Sequence, residues 1–86
     1  MTEQTDRLIS LSELAPGCRG KVRELTVEGT VRRRLLDLGV VPNTMIETIR
    51  HSPIGDPTAY RVRGTTIGLR KEDAKGILVE PLKEDA

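Results

Sequence analysis

At 86 residues the chain can build one small domain around a single compact core, without room for a second lobe. Hydrophobic content is 36% and Tyr60 is the sole aromatic, so the core must be aliphatic and closely packed, and binding by aromatic stacking is largely excluded. Net charge is +1, yet Cys18 to Leu82 holds 12 Lys/Arg against 8 Asp/Glu while the flanks are acidic; a basic body suits an acidic partner, although a solvated charged face is the commoner cause.

The N-terminus is polar with no signal-like apolar region, and no apolar run approaches the roughly 18 residues of a membrane span. The unpaired Cys18 removes any disulfide framework and fits a reducing compartment. A cytoplasmic protein is expected. Its tails at 1–7 and 83–86 are read as loosely ordered and polar, flanking one domain at 8–82.

Leu8 to Leu14 opens the domain as a short strand with Ile9 and Leu11 on one face, and Ser12 and Pro16-Gly17 turn the chain. From Cys18 to Val22 the buried phase falls on even positions, whereas Leu25 and Val27 are odd. That slip near Glu24 predicts a β-bulge. After Glu28-Gly29, a helix over about 30–38 is expected, with Thr30 as N-cap and Gly39 as its left-handed stop. Val40 can then pack back onto Leu35 in the Schellman manner. At about 100° per residue, Val31, Leu35 and Leu38 form the apolar stripe and Leu36 points away from it, beside Arg32.

Pro42-Asn43 fits the centre of a type II turn, and a strand follows from Met45 to about His51, with Met45 and Ile49 on one face and Ile46 on the other. Pro53-Ile54-Gly55-Asp56-Pro57 is a loop by composition. Beyond it, Tyr60 and Val62 alternate with Arg61 and Arg63, Gly64-Thr65 suits a two-residue II′ turn, and Ile67 and Leu69 lie on the returning strand. A one-turn helix is expected near 71–75, then a last strand, Ile77 to Val79, ended by Pro81. Five or six short strands with turns at close intervals predict a mainly β fold, a small antiparallel barrel with the short helix covering one end or side.

The run Arg34-Leu35-Leu36-Asp37-Leu38-Gly39-Val40-Val41-Pro42, then Pro53 to Pro57, then Gly64 through Arg70, resembles the FeoA family over Ile9 to about Leu82. It departs from the family pattern at Asn43, where many relatives carry Gly. The resemblance implies an SH3-like barrel that accompanies the bacterial ferrous-iron transporter FeoB and modulates it by contacting its cytoplasmic GTP-binding domain. Such a protein would be recruited to the inner face of the plasma membrane through its partner, without inserting. A related domain ends some iron-dependent repressors, but no helix-turn-helix region precedes this one, so that arrangement is not expected.

The residues themselves give catalysis little support: there is one His, one Cys, no Gly-rich phosphate loop and no Ser/His/Asp set. Metal could be met only by Cys18, His51 and scattered carboxylates such as Asp56 and Glu47, which is short of the three or four ligands of a tight site. No tightly held cofactor is expected, only weak Fe²⁺ or Zn²⁺ association. Arg32-Arg33-Arg34 could clasp phosphates, but no aromatic platform exists to stack bases, and Glu28 and Asp37 dilute the patch, so nucleic acid is not the expected partner. A transition-metal-responsive or nucleic-acid-binding small barrel is the alternative reading.

A protein-interaction module needs only a rigid surface with an apolar centre and a charged rim. Arg32, Arg33 and Leu36 on the helix, and Ile54 and Asp56 in the proline loop, are the partner-binding candidates. For Leu36 two readings stay open: an exposed anchor, or a second buried side of a helix wedged against the barrel. Ile54 likewise meets either a partner or the core.

Overall fold

The computed structural model describes residues 7–82, so the tails expected at 1–7 and 83–86 lie outside the described residues, Arg7 excepted. Six strands form one antiparallel sheet: β1 (Ile9–Ser10), β2 (Arg19–Leu25), β3 (Met45–His51), β4 (Thr58–Val62), β5 (Thr65–Leu69) and β6 (Ile77–Pro81). Their spatial order is β1-β6-β2-β3-β4-β5. Helix α1 spans Gly29–Asp37 and α2 spans Lys71–Ala74.

The first apolar segment is not one strand. Two residues pair with β6, and Leu11–Glu13 then close a 3-10 turn in which the Leu14 N–H donates to the Leu11 carbonyl at 3.0 Å. Leu11 and Leu14 are both buried, an i,i+3 pair that a strand would send to opposite faces and a 3-10 turn stacks on one.

The register of β2 against β6 shifts between Val22 and Glu24, which places the expected bulge at Arg23 and keeps Gly20, Val22 and Leu25 all inward. A second shift, between Thr48 and Arg50 on β3, does the same at Ile49. Ile46 and Thr48 therefore face the core while Met45 is 41% exposed. The β4–β5 hairpin turns one residue earlier than the sequence indicates. Val62 pairs with Thr65, so the loop is Arg63-Gly64, and φ of 53° and 81° at those two residues makes a type I′ turn instead of the II′ turn at Gly64-Thr65. The last strand runs two residues beyond Val79 and ends at Pro81, which pairs with Gly20.

Asn43 takes φ 76° and the Thr44 N–H donates to the Val41 carbonyl at 3.2 Å, as the expected type II turn requires. Helix α1 begins one residue early. Gly29 enters at φ 68°, a conformation Thr30 would resist, and Glu28 stands at the N-cap position without a side-chain capping bond. The end is a full Schellman motif: with Gly39 at φ 99°, its N–H donates to the Leu36 carbonyl and the Val40 N–H to the Leu35 carbonyl, both at 3.0 Å. That reversal carries Val40 into the core beside Leu35, and it also turns Leu38 outward, 38% exposed. The buried side of α1 is thus Leu35 with Val31 and Leu36 packed at its flanks, not Val31, Leu35 and Leu38.

Thr48 and Tyr60 carry polar groups into the core from neighbouring strands. Thr48 is wholly buried, and its hydroxyl has no hydrogen-bond partner among the described residues. Thr48→Val keeps the β-branched shape and removes that desolvated group, so it should raise stability by about 1 kcal/mol. A lower urea midpoint for the variant would contradict the placement. Tyr60 is 1% exposed. Burial raises its phenol pKa above the ordinary 10.0, a hydrogen bond with Thr58 pulls it down, and the Asp56 charge pushes it up. The folded state thus favours the protonated phenol: this contribution is intact below the unfolded pKa and is lost as pH rises through the folded one. As the sole aromatic, Tyr60 should give a phenolate absorbance transition above pH 10.0 with stability falling across it; a midpoint at or below that value would contradict the burial.

Candidate functional site

The residues expected to meet a partner lie on two elements, and α2 braces both. On α1, the Arg34 Nη2 reaches Asp73 Oδ2 at 3.3 Å. In the β3–β4 loop, Asp56 Oδ1 accepts from the Lys71 backbone N–H at 2.8 Å, satisfying a donor at the start of α2 that the helix itself leaves unpaired. Lys71 and Asp73 are two positions apart on one short helix, so the end of α1 and the proline loop are tied to the same turn.

The loop is folded on itself before it meets anything. Ser52 Oγ donates to the Asp56 carbonyl at 3.0 Å and accepts from the Ile54 N–H at 3.3 Å, while the Gly55 N–H donates to the Ser52 carbonyl at 2.8 Å. The Asp56-Pro57 bond is cis. Ile54 is held at the tip, 87% exposed, the most exposed large apolar side chain among the described residues. Core closure by Ile54 is therefore not what the loop does.

On α1 the candidates separate. Arg33 is exposed, with no side-chain partner among the described residues. Arg32 is exposed too, and its Nη1 leans toward the Leu25 carbonyl at 3.5 Å, near the limit for a hydrogen bond. Leu36 packs half-buried against the core, the second of its two open readings, and is not a free anchor. Asp56 is largely committed as a brace, which leaves Arg32, Arg33 and Ile54 as the groups presented outward.

The metal candidates are not brought together. Among the described residues no group of three or more His, Cys, Asp or Glu side chains converges. Cys18 sits half-buried against the core at the start of β2, its N–H donating to the Ala15 carbonyl at 3.0 Å. His51 ends β3 with Nδ1 and Thr58 Oγ1 3.0 Å apart. Glu47 lies 3.7 Å from Arg61 across the sheet. Two exposed apolar groups, Leu38 and Met45, were not anticipated. The signal for Met45 was the parity opposite Ile46 once β3 is read as buried on its even side; for Leu38 it was its position at the helix end, before Gly39.

No helix among the described residues is long and apolar enough to cross a membrane. A family model for the FeoA domain matches residues 9–81. The chain is 34% identical over 76 residues to a fusion of Fe(2+) transport protein A with the Fe(2+) transporter FeoB from Porphyromonas gingivalis, covering 88% of this chain and 9% of that relative. This chain thus spans under a tenth of the curated relative's length. Among solved structures, a FeoA-like protein from Clostridium acetobutylicum is similar at 40% identity and TM-score 0.85, with 95% of each chain covered. A zinc-complexed FeoA from Stenotrophomonas maltophilia, described as an SH3-domain protein, is similar at 29% identity and TM-score 0.71, with 84% of this chain and 89% of that one covered. With the family model covering residues 9–81 and relatives at 34% and 40% identity, the chain belongs to the FeoA domain family.

Proposed function

We propose that the chain is a non-enzymatic accessory protein of bacterial ferrous-iron uptake, acting from the cytoplasm by binding the GTP-binding domain of a FeoB-type transporter. The observation that carries this reading is the Porphyromonas relative, in which a domain similar to nearly all of this chain shares one polypeptide with a FeoB transporter. Covalent linkage keeps two partners at an effective concentration of about millimolar, so even a weak contact between them is saturated. The geometry suits a contact of that kind: a barrel braced through α2 presents Ile54 as an isolated apolar tip and Arg32 and Arg33 as a cationic flank. Tagged protein incubated with the transporter's soluble GTP-binding domain, with and without guanine nucleotide, should retain that domain in at least one nucleotide state. Absence of retention in every state would sink the reading.

Iron is cargo in this account and not a resident group. With Cys18, His51 and Asp56 each engaged elsewhere in the fold, Fe²⁺ or Zn²⁺ should associate no more tightly than with an ordinary surface His or carboxylate cluster. A metal titration of the purified protein tests this. Stoichiometric submicromolar binding, lost on Cys18→Ser or His51→Ala, would contradict it.

A further inference from the structure

We infer that the free edge of β5 is a docking site, and that its occupant is an extended acidic segment of another protein, added to the sheet as a further antiparallel strand. β5 ends the strand order and pairs with β4 alone. Val62 and Thr65 flank a two-residue turn and so form a hydrogen-bonded pair; by the alternation of an antiparallel ladder, Tyr60 with Ile67 and Thr58 with Leu69 do the same. The N–H and C=O groups of Thr66 and Gly68 therefore point away from β4. Among the described residues no backbone hydrogen bond reaches these four groups, and Thr66 and Gly68 are both exposed.

Edge strands are commonly kept from pairing by shortness, charge, proline or a bulge. The opposite edge uses the first of these: β1 has two residues, and the Ser10 hydroxyl is tied down by donating to the Lys75 carbonyl at 3.0 Å. β5 uses none of them. Its five residues, Thr65 to Leu69, include no charged side chain and no proline, and its register against β4 runs without a shift.

Backbone groups alone do not select a partner, so the occupant is decided by what flanks them. On the outer face Arg50, Ala59 and Gly68 form one cross-strand row, whose two small members leave the floor of a cleft that Pro53 and Pro57 also line. Arg50 and His51 line this cleft and no carboxylate does; Asp56, next to Pro57, is turned to the Lys71 N–H instead. Arg50 is exposed and has no ion pair among the described residues, so an acidic side chain on this face of an added strand meets a free cation. The other face of such a strand continues the row of Ile67 and Leu69, which suits apolar side chains. The fitting segment alternates acidic and apolar residues. A second copy of this chain fits less well. The symmetric antiparallel pairing that engages all four groups sets Thr66 of one copy against Gly68 of the other, and carries Arg63 of each toward Lys71 of the other, so like charges meet at both ends of the ladder. A nucleic-acid backbone has no N–H groups to offer the two carbonyls.

The inference stands without the transporter reading, and its test uses a defined probe. Acetyl-Glu-Val-Glu-Val-Glu-Val-Glu-amide is titrated at low salt into isotope-labelled protein, with amide hydrogen exchange read by NMR. In the free protein the Thr66 and Gly68 amides should exchange fast and those of Ile67 and Leu69 slowly; the peptide should slow Thr66 and Gly68 about tenfold or more. Thr66→Pro removes an outward N–H without breaking a bond to β4, and should weaken peptide binding about tenfold or more at little-changed melting temperature. Arg50→Glu should weaken it in the same direction. Should Thr66→Pro fail to fold, the unaltered protein carries the test: the same peptide N-methylated at every residue should bind about tenfold more weakly or worse. Undiminished affinity in the folded Thr66→Pro variant, or for the N-methylated peptide, would overturn the inference. So would equal protection by the corresponding Lys-Val peptide, protection centred on residues outside β5, or protection of Thr66 and Gly68 that grows with protein concentration in the absence of peptide, which would make the occupant a second copy.

Discussion

Leu35→Ala should cost roughly 2 to 5 kcal/mol, the largest effect expected of a single truncation in α1. Leu35 is 0% exposed and lies at the centre of the helix's buried side, where it meets the core that Val40 enters after the Gly39 reversal. A nine-residue helix is not stable in isolation, so α1 holds its place by docking, and Leu35 is its one fully buried contact. A domain of this size has a total stability of roughly 4 to 13 kcal/mol, so the loss would remove a large share of it. Urea denaturation should show a much lower midpoint at little-changed slope. A loss under about 1 kcal/mol would mean that the site collapses around the missing side chain and that α1 is held by something else.

How far such a prediction could be written from the sequence depends on where the determining contact lies. The Schellman stop was legible because Gly39 and Val40 adjoin the helix they end, and the Arg23 bulge because Leu25 breaks the even parity of Gly20 and Val22. The stripe was misjudged at its last member. Helical phase places Leu38 near Val31, but the reversal at Gly39 follows at once and turns it outward. The I′ hairpin was hidden for a different reason: it needs a positive φ at Arg63, which the sheet imposes and arginine gives no hint of. In the candidate site, exposure of Arg33 and placement of Ile54 in a loop followed from local pattern. The commitment of Asp56 to the Lys71 N–H, 15 residues away, did not, because nothing local announces a capping bond delivered from another element.

Gly76→Ala should destabilise the protein by roughly 1 to 3 kcal/mol through overpacking, with no unusual backbone angle involved. A Cβ at this position would run into Val27 Cγ1, with Thr26 Oγ1 3.3 Å away. The backbone cannot easily yield, because the Gly76 carbonyl accepts from the Thr26 N–H at 2.7 Å and from the Thr26 hydroxyl at 3.0 Å, while its own N–H donates to the Asp73 carbonyl at 3.1 Å. These bonds join the entry to β6 with the segment leading into α1, so strain here loosens both. Val27→Ala removes the obstructing methyl groups, and the double variant should recover part of the loss in Gly76→Ala alone, a non-additivity typical of residues in contact. Simple additivity of the two changes would contradict the stated cause.

The most direct test of the account is ferrous-iron uptake in the native host after deletion of this chain's coding sequence, with the FeoB-type transporter retained and its amount monitored. The account predicts that Fe²⁺ uptake under reducing conditions falls at unchanged transporter level and returns on supplying the chain in trans. It also predicts that Arg33→Glu, folded but altered on the exposed side of α1, restores uptake less well than the parent. Uptake that is indifferent to the deletion, with the transporter present and active, would contradict the claim that this barrel is an accessory to ferrous-iron transport.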